Sequence, residues 1–472
     1  MTTTINRNPN IHILFATFPA FGHIIPLLEL AKKVSKFYRV TFAVSASKLP
    51  DFAKRELLQP TDDVQLYGIA DQVVDDLEDV ITDGALGKAF ADVLPAFAHF
   101  LRSMPTRQEP KSMVAAFTTP VDVMIADYFL SAEFRVCAER GVPFYSFDSG
   151  AVGQVQYLLA INQDTPVLPP DQLEVFDRTP KAGEPMAAVM ADLKDLWISM
   201  KPTLALTKGF IINTVRSLER EDLIEVVKDP QTVGWTIHCV GPLFPEQKSP
   251  SSSVQLVMQK RVTNWLNGQT SDSVVYVSFG SLTTPTPEQV TVIGQALLSL
   301  GRPFIWSLRE KYHSFLPEEI STLISRQFDE RASPFLVLTW APQKSILKHD
   351  ATAVFLSHCG WNSTLEAMAS GKPIVGWPMF GDQLEVAQLA VKLGVGVLVQ
   401  GTGMVGSRLV PAEEICGLIQ RSMDSEKAVG VVGKSDFTGR AKAVACEISE
   451  AWTPSGESST DFQDLIHRLG SF

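Results

Sequence analysis

Short runs of β-branched and aromatic residues alternate with longer amphipathic stretches along the chain. This alternation is typical of βαβ units built around parallel sheets. In the first half it predicts a helix at residues 132–140 and strands at residues 11–16, 39–44, 122–126, 143–147 and 210–213. In the second half it predicts helices such as 290–300 and 383–393 and strands at residues 274–279, 304–308, 335–339, 354–357 and 373–377. We therefore predict an α/β protein with two parallel-sheet domains in tandem.

A polar stretch rich in serine and proline interrupts this pattern between roughly residues 238 and 255. Such a composition is typical of a linker between domains. We therefore predict a first domain at residues 1–245 and a second at residues 246–450. The remaining residues 451–472 contain a capped amphipathic helix at 461–469, which we expect to pack back on the first domain.

Composition and charge exclude several classes of protein. The chain has 472 residues, of which 45% are hydrophobic and 20% charged, so we expect it to fold. Its net charge of -11 and the lack of a basic cluster argue against a nucleic-acid surface. Five widely spaced cysteines without a C-x-x-C pair argue against a disulfide framework and a zinc site. The polar start and the lack of a long apolar run predict no signal peptide and no membrane span, so we expect a cytoplasmic protein.

The commoner nucleotide-binding and catalytic fingerprints do not match this chain. No G-x-G-x-x-G follows a strand, and neither G-x-S-x-G nor H-E-x-x-H occurs. Residues 428–435 end like a phosphate-binding loop, but Ala428 replaces the first required glycine, so we predict a surface loop there. The acidic run at residues 75–79 comes nearest to a metal-binding D-x-D motif, and a solvated loop is the better interpretation. We therefore predict no metal site.

Aromatic and polar side chains concentrate between Trp340 and Gln383. Trp340 follows a predicted strand, and open α/β sheets bind ligands beyond the carboxyl ends of their strands, so its indole can stack on a base. The run from His358 through Gly360 forms a turn that opens a helix. Helix N-termini attract anions, so this turn suits a diphosphate.

Polar side chains around that turn supply further hydrogen-bond partners. Asn362 and Ser363 follow Gly360 and add donors for a diphosphate without a metal ion. Asp382 and Gln383 end the segment after a further strand, and a carboxylate beside an amide suits the hydroxyl groups of a sugar. The residues alone therefore point to a small nucleotide-sugar ligand.

The segment WAPQKSILKHDATAVFLSHCGWNSTLEAMASGKPIVGWPMFGDQ resembles the signature box of plant-type UDP-dependent glycosyltransferases of family 1. A weaker similarity includes Gly22 and His23, the turn at residues 279–281 and the C-terminal helix. The resemblance implies the GT-B fold, in which two Rossmann-like domains face each other across a cleft.

The resemblance also implies a role for each residue of the box. It implies that the nucleotide and sugar are held by four groups of residues: Trp340 and Ala341 on uracil, Gln343 and Glu366 on ribose, His358, Gly360, Asn362, Ser363 and Ser281 on the diphosphate, and Trp361, Asp382 and Gln383 on the sugar. A glutamine that closes the box goes with glucose in this family, so Gln383 favours UDP-glucose as the donor substrate. We expect no other cofactor.

His23 is the candidate general base. An imidazole with a pKa of about 6.5 can accept the acceptor's proton near neutrality. His23 lies in a predicted loop between the strand at 11–16 and a helix that begins near Pro26. A lone histidine in such a loop is more often structural than catalytic, but the resemblance implies the catalytic role.

Two polar residues are candidate partners of this base. Asp127 ends the strand at 122–126, and the resemblance implies that it pairs with His23; the alternative is an N-cap for the next helix. Ser149 stands where many relatives place a threonine near the sugar, and its shorter side chain differs from that pattern.

The expected reaction is a single displacement that gives a β-glucoside of a small apolar acceptor. Aromatic residues of the first half are candidates either for the acceptor wall or for the core: Phe18, Phe21, Tyr128, Phe129 and Phe147. A UDP-sugar epimerase and a non-catalytic UDP-sugar-binding protein remain alternatives. We expect a monomer whose partners are the acceptor and the UDP-sugar.

Overall fold

The computed structural model describes residues 7–71, 86–111, 117, 119–162, 164, 185–245, 253–281, 285–325, 333–402, 408–423 and 436–472. These residues form two compact units. Unit 1 contains the described residues up to 164, those from 185 to 245 and those from 451 to 472. Unit 2 contains the described residues from 253 to 450.

Unit 1 is built on a parallel sheet with seven strands in the described part of the chain, in the order β3-β2-β1-β4-β5-β6-β7. The strands are β1 Asn8–Ala16, β2 Tyr38–Ser45, β3 Gln65–Ile69, β4 Val123–Asp127, β5 Phe144–Asp148, β6 Gly209–Ile212 and β7 Thr236–Cys239. The central β1 pairs with β2 and β4, so that Ile13 lies opposite both Val40 and Val123. These central strands are continuous apolar runs because helices cover both faces of the sheet.

The helices of unit 1 that precede the second unit are α1 Phe21–Ser35, α2 Leu49–Lys54, α3 Leu86–Ser103, α4 Arg135–Glu139, α5 Val152–Ala160, α6 Pro185–Leu204 and α7 Arg220–Lys228. Short 3-10 helices lie at Ala46–Lys48, Tyr128–Glu133 and Pro230–Thr232. Helix α1 packs Ile24, Leu27 and Leu28 into the core beneath β1.

Unit 2 contains a parallel sheet with six strands among its described residues, in the order β10-β9-β8-β11-β12-β13. The strands are β8 Val274–Ser278, β9 Phe304–Ser307, β10 Phe335–Leu338, β11 Thr352–Ser357, β12 Ile374–Gly376 and β13 Gly396–Leu398. The helices are α8 Ser253–Asn267, α9 Pro287–Leu300, α10 Glu318–Ser325, α11 Gln343–Lys348, α12 Trp361–Ala369, α13 Gln383–Lys392, α14 Ala412–Met423 and α15 Phe437–Ala451, with a 3-10 helix at Glu310–Phe315.

The last helix, α16 Glu457–Leu469, returns to unit 1. Its apolar face buries Leu465, Ile466 and Leu469 in the same core as β1 and β2. Polar contacts add to this packing, because the Tyr38 hydroxyl donates to the carbonyl of Ile466 at 2.7 Å and Arg216 pairs with Asp461 at 2.6 Å. The helix is therefore part of the core of unit 1.

The strand order of each sheet reverses at one place, between β1 and β4 in unit 1 and between β8 and β11 in unit 2. At this place the connections from the two neighbouring strands run in opposite directions, which opens a crevice at the carboxyl edge of the sheet. Open α/β sheets bind ligands in such a crevice. The segments after β1 and β4 carry His23 and Asp127, and those after β8 and β11 carry Ser281 and His358.

Several predicted boundaries were wrong. Helix α1 begins at Phe21, not near Pro26, so His23 lies in the first turn of a helix and not in a loop. Pro26 costs this helix one backbone bond, to the carbonyl of Gly22, and the buried apolar face stabilises the helix despite that loss. The predicted helix at 132–140 is a 3-10 helix followed by the short α4.

The start of the predicted linker was also wrong, because His238 lies in β7. Strands β3, β7 and β13 were not predicted. The loops predicted at residues 75–79 and 428–435 lie outside the described residues. None of the helices among the described residues has the length and apolar character that crossing a bilayer requires.

Candidate active site

His23 and Asp127 meet at the carboxyl edge of the first sheet. Nδ1 of His23 lies 2.7 Å from Oδ2 of Asp127, whose side chain is 1% exposed while that of His23 is 20% exposed. An ionised carboxylate only accepts hydrogen bonds, so Nδ1 carries the proton of the neutral ring. Nε2 is then the unprotonated nitrogen, and it is the atom that can accept a proton.

Asp127 fulfils both roles that the sequence left open. Its second oxygen, Oδ1, accepts a hydrogen bond from the backbone N–H of Phe129 at 3.0 Å and so caps the 3-10 helix at Tyr128–Glu133. One buried carboxylate therefore orients the imidazole through Oδ2 and is itself oriented through Oδ1.

Two phenylalanines contact the imidazole, and a third packs against both of them. The ring centroid of His23 lies 4.8 Å from that of Phe129 and 5.9 Å from that of Phe18. Phe90 of α3 stacks on Phe18 at 4.9 Å and meets Phe129 edge-on at 5.9 Å. His23 therefore lies in an apolar setting that suits an apolar or aromatic ligand.

The other aromatic candidates of unit 1 lie elsewhere. Phe147 is fully buried in the core and Phe21 packs against that core. Tyr128 is buried, and its hydroxyl donates to Gln154 at 3.4 Å. Sequence analysis missed Phe90, which lies on a helix far along the chain from His23 and has no local motif.

Ser149 lies beside His23. Its Oγ is 3.3 Å from Nδ1 of His23, but Nδ1 has one proton and Asp127 is nearer, so Ser149 is the weaker partner. The segment that carries Ser149 is held by buried carboxyl groups on both sides: Asp148 accepts from the N–H of Gly150, and Glu219 accepts from the N–H of Val152, each at 2.7 Å. Sequence analysis did not identify Glu219.

Glu219 makes the stability of unit 1 depend on pH. Burial raises its pKa to about 8, from an ordinary value of 4.5. The unfolded chain releases this proton at lower pH than the folded protein, so the stabilising contribution is complete below about pH 4.5 and is lost as pH rises to about 8. Glu219→Gln keeps an acceptor for Val152 and cannot ionise. We expect it to raise the free energy of unfolding at pH 8 by an amount on the order of a few kcal/mol, shrinking towards pH 5.

Urea denaturation across this pH range measures the effect. Glu225→Gln is the control, because Glu225 lies on the exposed side of α7. If the free energy of unfolding differs between Glu219→Gln and the wild type by an amount that does not change with pH, the prediction is wrong.

In unit 2, His358 lies between two glycines that are close to its ring. A Cβ built on Gly280 would lie 2.4 Å from Nε2 of His358, and one built on Gly360 would lie 2.6 Å from it. Gly280 also has a φ of +74°, which favours glycine. We call Gly280, His358 and Gly360 the His358 cluster. Only glycine leaves room beside this imidazole.

His358 is a neutral side chain with an unmatched polar atom. Burial lowers its pKa to about 4, so it is uncharged near neutrality. Its Nδ1 is buried and has no hydrogen-bond partner within the described part of the protein. Buried polar atoms are nearly always satisfied, so the unmatched Nδ1 calls for an explanation. The two glycines leave room at the opposite ring nitrogen, Nε2, which indicates a place for a ligand there.

Helix α12 begins at this cluster. Gly360 is its N-cap and supplies no side-chain cap, and the N-terminus of a helix attracts anions. Asn362 and Ser363 lie in this first turn and are half-buried, whereas the Trp361 side chain is buried. Ser281 follows Gly280 and is exposed, and its carbonyl accepts a hydrogen bond from the guanidinium of Arg309, which sequence analysis also missed.

Gln343 connects several polar groups of the box. Its Nε2 donates to Ser363 Oγ at 3.0 Å and to Glu366 Oε2 at 2.8 Å. Its Oε1 accepts from the hydroxyl of Tyr276 at 3.1 Å. Burial raises the pKa of Glu366, and the hydrogen bond from Gln343 opposes that shift.

The two ends of the box differ in exposure. Trp340 follows β10 and is 48% exposed, although it is a large aromatic residue, while Ala341 is buried. Gln383 begins α13 and is buried, and its Oε1 accepts from the N–H groups of Met379 and Phe380 at 2.8 and 2.9 Å. Its NH₂ group is then the donor that remains for a ligand. Asp382 precedes it as the half-buried N-cap.

Comparisons with known proteins show which sequences and structures the chain is similar to. The family model described as UDP-glucoronosyl and UDP-glucosyl transferase matches residues 242–417. UDP-glycosyltransferase 72B2 of Arabidopsis thaliana is 27% identical over 89% of each chain. Cis-zeatin O-glucosyltransferase 1 of Zea mays is 34% identical over 55% of this chain and 56% of its own.

Solved structures are similar over nearly the whole chain. The Medicago truncatula protein UGT71G1, complexed with UDP-glucose, has a TM-score of 0.75 and 24% identity over 98% of both chains. A UDP-glucosyltransferase from Polygonum tinctorium capable of glucosylating indoxyl has a TM-score of 0.74 and 23% identity over 98% of this chain and all of its own (100%). The two parallel-sheet α/β units thus define a GT-B fold, as predicted. Residues 242–417 thus match the UDP-glucoronosyl and UDP-glucosyl transferase model, and most of the chain is similar to plant UDP-glycosyltransferases, which supports a glycosyltransferase enzyme.

Proposed function

We propose that the protein transfers glucose from UDP-glucose to a hydroxyl group of a small apolar or aromatic acceptor, such as a phenol or a flavonoid-like compound. The product is a β-O-glucoside. The observation that carries this proposal is the His23–Asp127 pair, whose imidazole contacts Phe18 and Phe129. The glucosyltransferase name of the Zea mays relative and the UDP-glucose in the Medicago structure support the choice of donor.

In the proposed reaction, Nε2 of His23 accepts the proton of the acceptor hydroxyl. The acceptor oxygen forms a bond to the anomeric carbon of glucose while the bond from that carbon to the diphosphate oxygen breaks, and UDP leaves. Attack opposite the leaving group converts an α-linked donor into a β-glucoside. The Asp127 carboxylate stabilises the imidazolium that forms and keeps Nε2 available at the start of each turnover.

Residues of unit 2 hold the donor in this proposal. The exposed Trp340 stacks on uracil and the backbone of Ala341 reads its edge. The diphosphate binds at the His358 cluster and the N-terminus of α12, with Ser281, Asn362 and Ser363 as further donors. Partial positive charge at a helix N-terminus stabilises the negative charge that develops on the leaving UDP.

The remaining assignments concern the two sugars. Glu366 and Gln343 bind the ribose. The glucose contacts are Trp361, Asp382, Gln383 and Ser149. Because the Gln383 oxygen already accepts two backbone hydrogen bonds, its NH₂ group is the donor for a glucose hydroxyl.

The apolar setting of His23 supports the acceptor class. Phe129 is partly exposed beside the imidazole, and the buried Phe18 and Phe90 pack against it, so the surroundings of His23 are aromatic and uncharged. Such surroundings favour a flat aromatic ligand over a charged one. The Polygonum enzyme, named for glucosylating indoxyl, is consistent with an aromatic acceptor.

A panel of phenols, flavonoid-like compounds and aliphatic alcohols, each incubated with UDP-glucose, tests the proposal. We expect release of UDP that depends on an acceptor, with aromatic acceptors turned over at least about tenfold faster than aliphatic alcohols of similar size. The anomeric proton coupling of the product in NMR shows whether the linkage is β.

The same assay separates the alternatives. An epimerase converts UDP-glucose to another UDP-sugar in the absence of an acceptor and releases no free UDP. A non-catalytic binding protein leaves both UDP-glucose and the acceptor unchanged. Either result with every acceptor of the panel rejects the proposed function.

We also propose a cytoplasmic location. None of the cysteines Cys137, Cys239, Cys359, Cys416 and Cys446 is in a disulfide. Thiols that stay reduced are typical of the cytosol.

A further inference from the structure

The turn between β5 and α5 carries Ser149 to a place beside His23. Ser149 Oγ lies 3.3 Å from Nδ1 of His23, and only residues 149–151 separate the end of β5 from the start of α5. Helix α5 has no side-chain cap of its own, because its N-cap is Ala151. The first backbone N–H groups of a helix have no partner inside the helix, so the N–H of Val152 needs an acceptor from elsewhere.

Glu219 supplies this acceptor from 67 residues further along the chain. Its Oε2 accepts from the N–H of Val152 at 2.7 Å, and its Oε1 forms a hydrogen bond with the hydroxyl of Thr214. Glu219 is buried and so is Thr214. Burial raises the pKa of this carboxyl group to about 8, so it is mainly protonated near neutrality. The start of α5 is therefore capped by a buried and mainly uncharged group.

The segment that carries Thr214 and Glu219 is itself attached to the sheet. It continues β6, whose end pairs with the end of β5. The N–H of Asn213 donates to the carbonyl of Asp148 at 2.9 Å, and the carbonyl of Thr214 accepts from the N–H of Gly241 at 2.8 Å. Glu219 therefore fixes the start of α5 relative to the central sheet of unit 1.

Two hydrogen bonds thus hold the turn that carries Ser149. Asp148 accepts from the N–H of Gly150, which is a local contact between residues two apart in the chain. Glu219 accepts from the N–H of Val152 and holds the far end of the turn. The later part of α5 has its own contact with α7, because the Gln156 side chain donates to a backbone carbonyl there at 3.1 Å. Removing the Glu219 carboxyl group therefore loosens the turn while the rest of α5 stays in place.

We propose that Glu219 is a positioning residue for glucose transfer, which holds the Ser149 hydroxyl beside His23 by fixing the backbone between β5 and α5. The inference rests on the proposed function, in which Ser149 contacts glucose. The Ser149 oxygen faces Nδ1 of His23, so its own hydrogen is left to donate to a glucose hydroxyl. Glu219 acts only through this turn.

A double-mutant cycle between Glu219 and Ser149 tests this role, with kcat of glucose transfer measured per folded molecule. We expect Ser149→Ala to lower kcat about fivefold, which corresponds to one neutral hydrogen bond. Glu219→Ala misplaces the same hydroxyl and should also lower kcat about fivefold. The double variant should lose about fivefold in total, because the two changes remove the same contact. A purely structural role gives independent losses that multiply to about 25-fold, and that result overturns the proposal.

Glu219→Gln is the conservative variant. Its amide oxygen can accept from the N–H of Val152 and its NH₂ group can donate to the Thr214 hydroxyl, so kcat should stay within about twofold of the wild-type value. Loss of kcat in this variant as large as in Glu219→Ala overturns the proposal. Glu225→Ala, which removes an exposed carboxylate from α7, is the control and should leave kcat unchanged.

Thr214→Val provides an independent test, including the case in which Glu219→Ala does not fold. Valine has nearly the shape of threonine and removes the hydroxyl that holds Glu219. We expect kcat to fall about threefold, and this loss should vanish when residue 149 is already alanine. The proposal is overturned if kcat does not fall, or if the loss persists in the Ser149→Ala background.

Crystal structures of the same variants without substrate separate this inference from the proposed function. In Glu219→Ala or Thr214→Val, we expect the distance from Ser149 Oγ to Nδ1 of His23 to rise from 3.3 Å by about 1 Å, which is beyond hydrogen-bond reach. An unchanged distance overturns the inference whether or not the protein transfers glucose. If the distance rises but the wild type glucosylates no acceptor, the proposed function is rejected and the placement of Ser149 by Glu219 stands.

Discussion

Replacing His23 with alanine lowers the rate of glucose transfer by roughly 1,000-fold and leaves the affinity for UDP unchanged. A positioned general base contributes about 100-fold to 10,000-fold to such a reaction, and the alanine side chain cannot accept a proton. UDP affinity should persist because the proposed nucleotide contacts all lie in unit 2. Steady-state rates of UDP release, together with UDP binding by calorimetry, measure the two quantities separately.

A control variant sharpens this test. His467→Ala removes an exposed histidine from α16 and should change neither quantity. Acceptor-dependent release at the wild-type rate in His23→Ala would reject His23 as the base.

Asp127→Asn separates the two roles of Asp127. The amide oxygen can still cap the 3-10 helix through the N–H of Phe129, while the NH₂ group takes the place of Oδ2. That NH₂ group donates to Nδ1 of His23 and moves the ring proton to Nε2, where the base must be free. We therefore expect the rate to fall nearly as far as in His23→Ala while the unfolding midpoint stays close to that of the wild type. A large loss of stability with normal turnover per folded molecule would assign Asp127 to capping alone.

Replacing Gly280 with alanine weakens UDP binding roughly 100-fold or more. The new Cβ would lie 2.4 Å from Nε2 of His358, so the imidazole must leave its place and with it the proposed contact to the diphosphate. Loss of a hydrogen bond to an ionised group, together with displacement of the adjacent donors, accounts for a change of this size. Calorimetric titration with UDP measures it.

Gly301→Ala is the matched control for this variant. Gly301 has a φ of +62°, close to that of Gly280, and a Cβ there would meet nothing within 4 Å. Both variants place alanine in a left-handed backbone conformation, which lowers the stability of each, but only Gly280→Ala disturbs His358. Gly360→Ala, at an ordinary φ of -59° and with a Cβ 2.6 Å from Nε2, should weaken UDP binding without the backbone cost. Equal UDP affinities in Gly280→Ala and Gly301→Ala would contradict a role for the His358 cluster.

Much of the fold could be predicted from the sequence because the central strands are long, apolar and buried on both faces. The strands that were not predicted lie at the edges of the two sheets, where burial is weaker and the pattern is shorter: β3 and β7 in unit 1 and β13 in unit 2. His238 shows the difficulty, since a buried histidine near the end of β7 looks polar in the sequence. Its hydrogen-bond partner is remote in the sequence, because Nε2 of His238 lies 3.0 Å from Oδ2 of Asp464 in α16.

The site shows a similar division. Residues that share a local motif, such as His358, Asn362 and Gln383, could be named from the box. Phe90 and Glu219 could not, because their roles depend on contacts with residues remote in the sequence.

Helix α16 has a consequence for how the chain acquires its structure during synthesis. Leu465, Ile466 and Leu469 complete a core whose other members, including Ile13 and Phe42, leave the ribosome several hundred residues earlier. Until the final turn emerges, nascent unit 1 exposes an apolar groove where α16 will lie. Unit 1 begins to be translated first, but its core is completed only after unit 2 has been translated, and in the meantime it depends on shielding from other hydrophobic surfaces.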